Sequence, residues 1–210
     1  NNCNGDIDEG FALETIATGL NYAGSRTPLT IDVDAYGFVH IAYENNNGEI
    51  AYLNNATGTW GSVTLAPTTS GGSVGFHLKG VVDGLDRFHL AYTSLNTSDI
   101  SINYMYVDTL TYAWSSDYYL ETVSTSSLSS EFRLDMDIDS ANLPTMGWFN
   151  EDDETPWLTE LTTLNPPAHN GFVQLDDNCL FGLCAGYTGS YMSVAVDNSD
   201  TNHAVFLNDV

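Results

Sequence analysis

Four copies of one pattern run through the chain: Asp34-x-x-Gly37-x-x-His40-Ile41-Ala42-Tyr43, Asp83-x-x-Asp86-x-x-His89-Leu90-Ala91-Tyr92, Asp139-x-x-Asn142-x-x-Thr145-Met146-Gly147-Trp148 and Asp197-x-x-Asp200-x-x-His203-Ala204-Val205-Phe206. They recur at steps of 49, 56 and 58 residues. A period of about 50 residues is the length of one four-stranded antiparallel blade of a β-propeller. Before each Asp, apolar residues stand at every second position, as in Leu29-Thr-Ile31-Asp-Val33 and Leu134-Asp-Met136-Asp-Ile138, with Gly80 as the exception. That is the period of a strand with one buried face. The Asp-x-x-Gly/Asn/Asp that follows is hairpin chemistry: Asp bonds its own downstream backbone, and Gly, Asn or Asp tolerates positive φ.

Two further strand signals complete each of the first three units, such as Glu49–Leu53 and Trp60–Leu65 in the first copy and Ile100–Tyr106 and Tyr119–Val123 in the second. In the third copy Pro156–Leu161 and Phe172–Leu175 read as strands, with Asn165–Gly171 as the turn between them. No segment has helical periodicity with caps. The fourth copy stops after its second strand, while Phe11–Ile16 matches the last-strand segment Tyr119–Val123. The expected fold is therefore all-β: a propeller of four-stranded antiparallel blades, three full and one composite or incomplete. The composite blade still lacks a strand, which leaves an open ring, a strand from another chain, or a continuation past Val210. A β-sandwich is the alternative fold, because it shares the strand signals. The expected division is an acidic remnant or linker at 1–10 and a propeller domain at 11–210.

Charge narrows the partners. Four basic residues face 28 acidic ones, a formal charge of −24. Such a surface repels nucleic-acid phosphates and anionic lipid headgroups and attracts cations. No apolar stretch approaches the ~20 residues of a membrane helix, so no membrane insertion is expected. Cys179 and Cys184 stand with four residues between them around Gly182. They either close a local disulfide, which implies an oxidising compartment, or remain two buried thiols. Cys3 is the odd one, which in a secreted chain points to a partner elsewhere.

The ten-residue repeat resembles the blades of BNR-like and sialidase-type propellers, which often read Asp-x-x-Gly-x-x-His-Ile-Ala-Tyr. The resemblance spans residues 26–210 and implies blade type rather than activity. Arg26-Thr-Pro28 is placed as the Arg-x-Pro element of sialidases is, but Arg87 falls in a hairpin turn and the chain is too short for six blades, so the enzymatic triad of arginines is not implied. Asn2-Cys3-Asn4-Gly5-Asp6-Ile7-Asp8-Glu9-Gly10 resembles the second half of the MopE-type metal-binding repeat. That resemblance implies a longer, extracellular or cell-surface bacterial parent and a lost partner for Cys3. The copper-binding Trp-x-His of that family has no counterpart here, since Trp60, Trp114, Trp148 and Trp157 are followed two positions later by Ser62, Ser116, Asn150 and Thr159.

Calcium is the candidate cofactor, with no organic one, and a solvated acidic tail at 1–10 and a solvent face with a turn cap at 135–139 are the alternatives. The candidate calcium ligands are Asp6, Asp8 and Glu9 on a glycine-flanked loop, and Asp135, Asp137 and Asp139 on one strand face; hard carboxylate oxygens suit Ca²⁺. Three carboxylates on one face repel unless a cation or hydrogen bonds intervene. His40, His89 and His203 share one repeat position, and the expected role is to bond the neighbouring turn, through the Asp six residues earlier or a backbone group, rather than a metal. With 28 acids no single carboxylate pair stands out as catalytic. The functional expectation is a secreted or surface binding and adhesion module without catalysis, with a glycan, a protein or another copy of itself as ligand. A structural subunit using strand complementation and a sialidase- or glycosidase-like hydrolase are the alternatives.

Overall fold

A computed structural model describes residues 15–16, 29–61, 64–66, 74–95, 99–124, 134–150, 155–175 and 188–208. Fourteen strands and no helix occur among them. The first sheet holds β1 (Leu29–Val33), β2 (Val39–Glu44), β3 (Ile50–Asn54) and β4 (Thr64–Leu65). The second holds β5 (Val74–Val82), β6 (Arg87–Leu95), β7 (Ile100–Asp108) and β8 (Tyr118–Ser124). The third holds β9 (Leu134–Ile138), β10 (Pro144–Asn150), β11 (Thr155–Leu164) and β12 (Pro167–Gln174). The fourth is the pair β13 (Thr188–Val196) and β14 (Asn202–Asn208). In every sheet the strands lie in chain order and pair antiparallel. Each copy of the pattern is thus one sheet, giving four sheets in succession where a sandwich has two.

The hairpin chemistry works as the pattern predicts. The fourth motif position has positive φ in all four copies: 85° at Gly37, 58° at Asp86, 62° at Asn142 and 58° at Asp200. Asp34 Oδ1 accepts the amides of Tyr36 and Phe38 at 2.9 and 2.8 Å, and Asp83 Oδ1 those of Leu85 and Arg87 at 2.9 Å each. Asp139 takes Leu143 N at 2.7 Å, and Asp197 takes Ser199 and Thr201 N at 2.8 and 3.0 Å. Asn142 and Asp200 do more than tolerate the turn. Asn142 Oδ1 accepts Gly84 N at 2.9 Å, and Asp200 accepts Ser140 N at 2.7 Å, so each ties its own hairpin to the one in the preceding sheet.

The turn expected over Asn165–Gly171 is shorter. Strand β12 starts at Pro167, because the hydroxyls of Thr163 and Thr162 donate to Pro166 O and Ala168 O and hold the chain against β11 after a two-residue reversal.

The sheets pack face on face. Phe88, Leu90 and Tyr92 of the second join Ala42, Ile50 and Tyr52 of the first in one cluster. Leu134, Met136 and Trp148 of the third join Ala91, Ile102 and Tyr104 of the second. Met192 and Val194 of the fourth meet Leu158 of the third. Gly80 breaks the apolar alternation for a steric reason: a Cβ there would overlap the Phe88 ring. No helix among the described residues is long and apolar enough to cross a membrane.

Candidate functional site

The aspartate row read as a cation face lies at the junction between sheets. Asp135 receives Lys79 Nζ on Oδ1 at 2.7 Å, and Ser193 Oγ and Val194 N on Oδ2 at 2.8 and 2.9 Å. Asp137 accepts Ile138 N and, across to the fourth sheet, Val196 N at 2.7 Å. Asp139 caps its own hairpin. Asp32 repeats the arrangement in the first sheet, accepting Val82 N of the second at 2.8 Å. Hydrogen bonds thus serve the row, and the Lys79 ammonium with the bonds from Val194 and Ser193 outweighs burial to hold the Asp135 carboxyl below its usual range. No group of three or more His, Cys, Asp or Glu among the described residues is arranged to hold a metal ion. Asp6, Asp8, Glu9, Cys179 and Cys184 lie outside the described residues.

The repeat histidines bond the aspartates six residues back. The Nε2–Oδ2 distances are 3.3 Å for His40–Asp34, 2.9 Å for His89–Asp83 and 3.0 Å for His203–Asp197. A tyrosine on the next strand completes two of these relays: Tyr52 OH lies 2.7 Å from His40 Nδ1, and Tyr104 OH 2.6 Å from His89 Nδ1. An ionised carboxylate only accepts, so Nε2 carries the imidazole proton and Nδ1 accepts the phenol. Where Thr145 replaces histidine, Leu158 replaces the tyrosine in register, and Thr145 donates instead to Asn202 of the fourth sheet. His40 and His89 are fully buried, so these relays lock hairpins and face no substrate.

Burial pushes the His89 imidazole down, against the raising influence of Asp83. Burial also pushes the Asp83 carboxyl up, but hydrogen bonds from His89 and Arg87 outweigh it and bring it down to about 2. Both folded values are depressed, so both groups stabilise the fold most at higher pH. The unfolded chain protonates His89 around its ordinary 6.5, and stability is expected to fall as pH drops below that value. The Asp83 contribution persists above 3.8 and is lost as pH falls towards 2. Urea midpoints measured between about pH 7.5 and about pH 5 are expected to drop for the native chain and to drop less for His89→Gln.

An open cleft of about 410 Å³ lies between the second and third sheets, among the loop from β7 to β8 and the turn from β11 to β12. Tyr106, Asp108, Thr111, Ala113, Ser115 and Ser116 line one side, and Leu164, Asn165, Pro166 and Pro167 the other. The loop is held firmly. Asp108 Oδ1 accepts Leu110 and Thr111 N at 3.0 and 2.8 Å, and Thr109 Oγ1 donates to Asp86 O at 2.7 Å. The Thr111 amide leads in holding the Asp108 carboxyl below its usual range, so this wall carries a fixed negative charge. The Arg87 guanidinium sits 5.7 Å from the Tyr106 ring centroid. Trp148 is buried, while Trp60, Trp114 and Trp157 are half-buried and packed against core clusters; Trp114 also lines the cleft, and the other three serve packing.

No protein-family model and no curated protein matches the sequence. Solved structures match it in fold. AofleA from Arthrobotrys oligospora superposes with a TM-score of 0.54 at 15% identity, over 86% of this chain and 50% of its own. NanB, solved with Optactamide, gives 0.51 at 12% identity over 83% of this chain and 26% of its own. The endo-arabinase of Bacteroides thetaiotaomicron gives 0.47 at 14% identity, over 80% and 60%. The chain therefore spans about half the length of the AofleA chain. At such identities the likeness is one of fold, all-β and propeller-like. The BNR-like resemblance of residues 26–210 agrees with it at that level, and the MopE-type resemblance of residues 1–10 gains no support from it.

Proposed function

We propose that the chain is a propeller-type binding module of a secreted or cell-surface protein, taking a neutral glycan in the cleft between its second and third sheets without catalysing a reaction. The observation that carries this reading is the lining of that cleft. The Tyr106 ring and the Pro166–Pro167 edge offer apolar surface for sugar C–H groups, while Asp108, Thr111, Ser116 and Asn165 offer polar atoms for hydroxyls. Concave, mixed surfaces with a few placed polar groups are how small-molecule sites are built. A formal charge of −24 disfavours anionic sugars. Glycoside hydrolysis ordinarily uses two carboxyl groups flanking the bond, and the cleft lining contributes one, Asp108.

A glycan array probed with the full chain, followed by calorimetry on the hits, tests this. Ala113→Trp is the obstructing variant, because Ala113 is exposed on the cleft wall and its side chain serves no core cluster. It is expected to weaken binding by about tenfold or more. An array without neutral hits, or an affinity indifferent to Ala113→Trp, rejects the assignment, and turnover of a glycoside hit replaces it with a hydrolase.

A further inference from the structure

We propose that the outward face of the first sheet is an interface for a second copy of this chain, which docks its β13–β14 hairpin there head to tail. The repeat itself says what covers such a face. The inner strand of each later sheet turns alternate residues onto the sheet before it: Leu134 and Met136 are buried in this way, as are Met192 and Val194. The corresponding residues of β1, Leu29, Ile31 and Val33, are 51%, 61% and 53% exposed. Thr30 and Asp32, between them, point the other way and bond the second sheet.

The opposite end of the molecule is bare at the matching positions. His40, His89, Ala42 and Ala91 are fully buried under the following sheet, while their counterparts in β14 are open: the His203 side chain is 58% exposed and Val205 is 71% exposed. The outer part of the first sheet's outward face, Ile41, Tyr43 and Leu53, is already buried in a cluster with Ile16 and Trp60. What remains open is the inner strip along β1, and β13–β14 is a sheet of inner strands alone.

The side chain two places before each motif Asp points the same way. These are Asp32, Val81, Asp137 and Ala195, carboxylate and apolar in alternation. Val81 packs against the cluster that holds Leu134 and Met136, and Ala195 holds the corresponding place on the bare end. Within one chain β13 packs on β9, β10 and β11, and among the described residues β13–β14 forms no layer with β1–β2. A contact between two different faces of identical chains is heterologous, and it either closes a ring or extends.

Sedimentation velocity on the full chain in moderate salt, which screens its negative charge, reads this out. The native chain is expected to show species of two or more copies that grow with concentration. Ile31→Glu and Val205→Glu are each expected to abolish association, and a mixture of the two to restore a heterodimer, because each variant keeps the face the other has lost. Far-UV circular dichroism checks the fold of both, with Val33→Glu and Ala195→Glu as replacements should either unfold. A native chain that stays monomeric at all concentrations overturns the proposal. So does a variant that associates as the native chain does, or a mixture that stays monomeric.

Discussion

Asp83→Ala is expected to destabilise the chain by about 3–5 kcal/mol, the cost of removing one partner from a buried charged network. The Asp83 side chain is fully buried, and its two oxygens accept from Leu85 N, Arg87 N, Arg87 Nε, Arg87 Nη2 and His89 Nε2. Among the described residues no other side chain joins so many local groups. Truncation leaves the Arg87 charge beside Tyr106 without its counter-ion and His89 with an unpaired ring nitrogen in a fully buried site. It also removes the lock on a hairpin that holds Asp86 in positive φ. Urea unfolding followed by tryptophan fluorescence measures the loss. A cost below about 1 kcal/mol, the level of an exposed ion pair, would show that the relay is solvated and contributes little.

Gly80→Ala is expected to cost about 1–3 kcal/mol, the penalty of overpacking a filled core. The added methyl points into the ring of Phe88, which is fully buried, stacked 6.1 Å from His40 and tilted against Tyr52 at 5.3 Å. Those two rings belong to the first sheet, so Phe88 has no open direction in which to retreat. Phe88→Leu alone loses aromatic packing, yet in the Gly80→Ala background it makes room for the methyl. The double variant is therefore expected to be more stable than the sum of the two single changes predicts, by an interaction energy of about 1 kcal/mol. Additive losses would mean that the second sheet lies further from the first than Phe88 and Tyr52 require.

Local chemistry was legible in the sequence and long-range chemistry was not. Asp-x-x-Gly announces its turn because the bonds run only two and four residues ahead. The His–Asp pairs were legible for the same reason, since six residues across a tight hairpin bring side chains together. Tyr52 and Tyr104 were missed, although a signal exists: both stand opposite the motif alanine, Ala42 and Ala91, in strand register. The aspartate row leaves a cation and hydrogen bonds both open in the sequence because its partners are backbone amides 50 to 59 residues away, Val82, Val194 and Val196, and an amide carries no sequence signature. The cleft escaped notice because its walls come from two different repeats and depend on where β12 begins after Pro166.

Inter-strand proton distances from nuclear Overhauser spectra test the succession of sheets most directly. The account predicts contacts between β1 and β5, β5 and β9, and β9 and β13, including Thr30 with the Gly80 amide at 2.8 Å from its oxygen and Ser193 with Asp135. Cross-peaks placing β1 face to face with β9, as in two sandwiched layers, would contradict it.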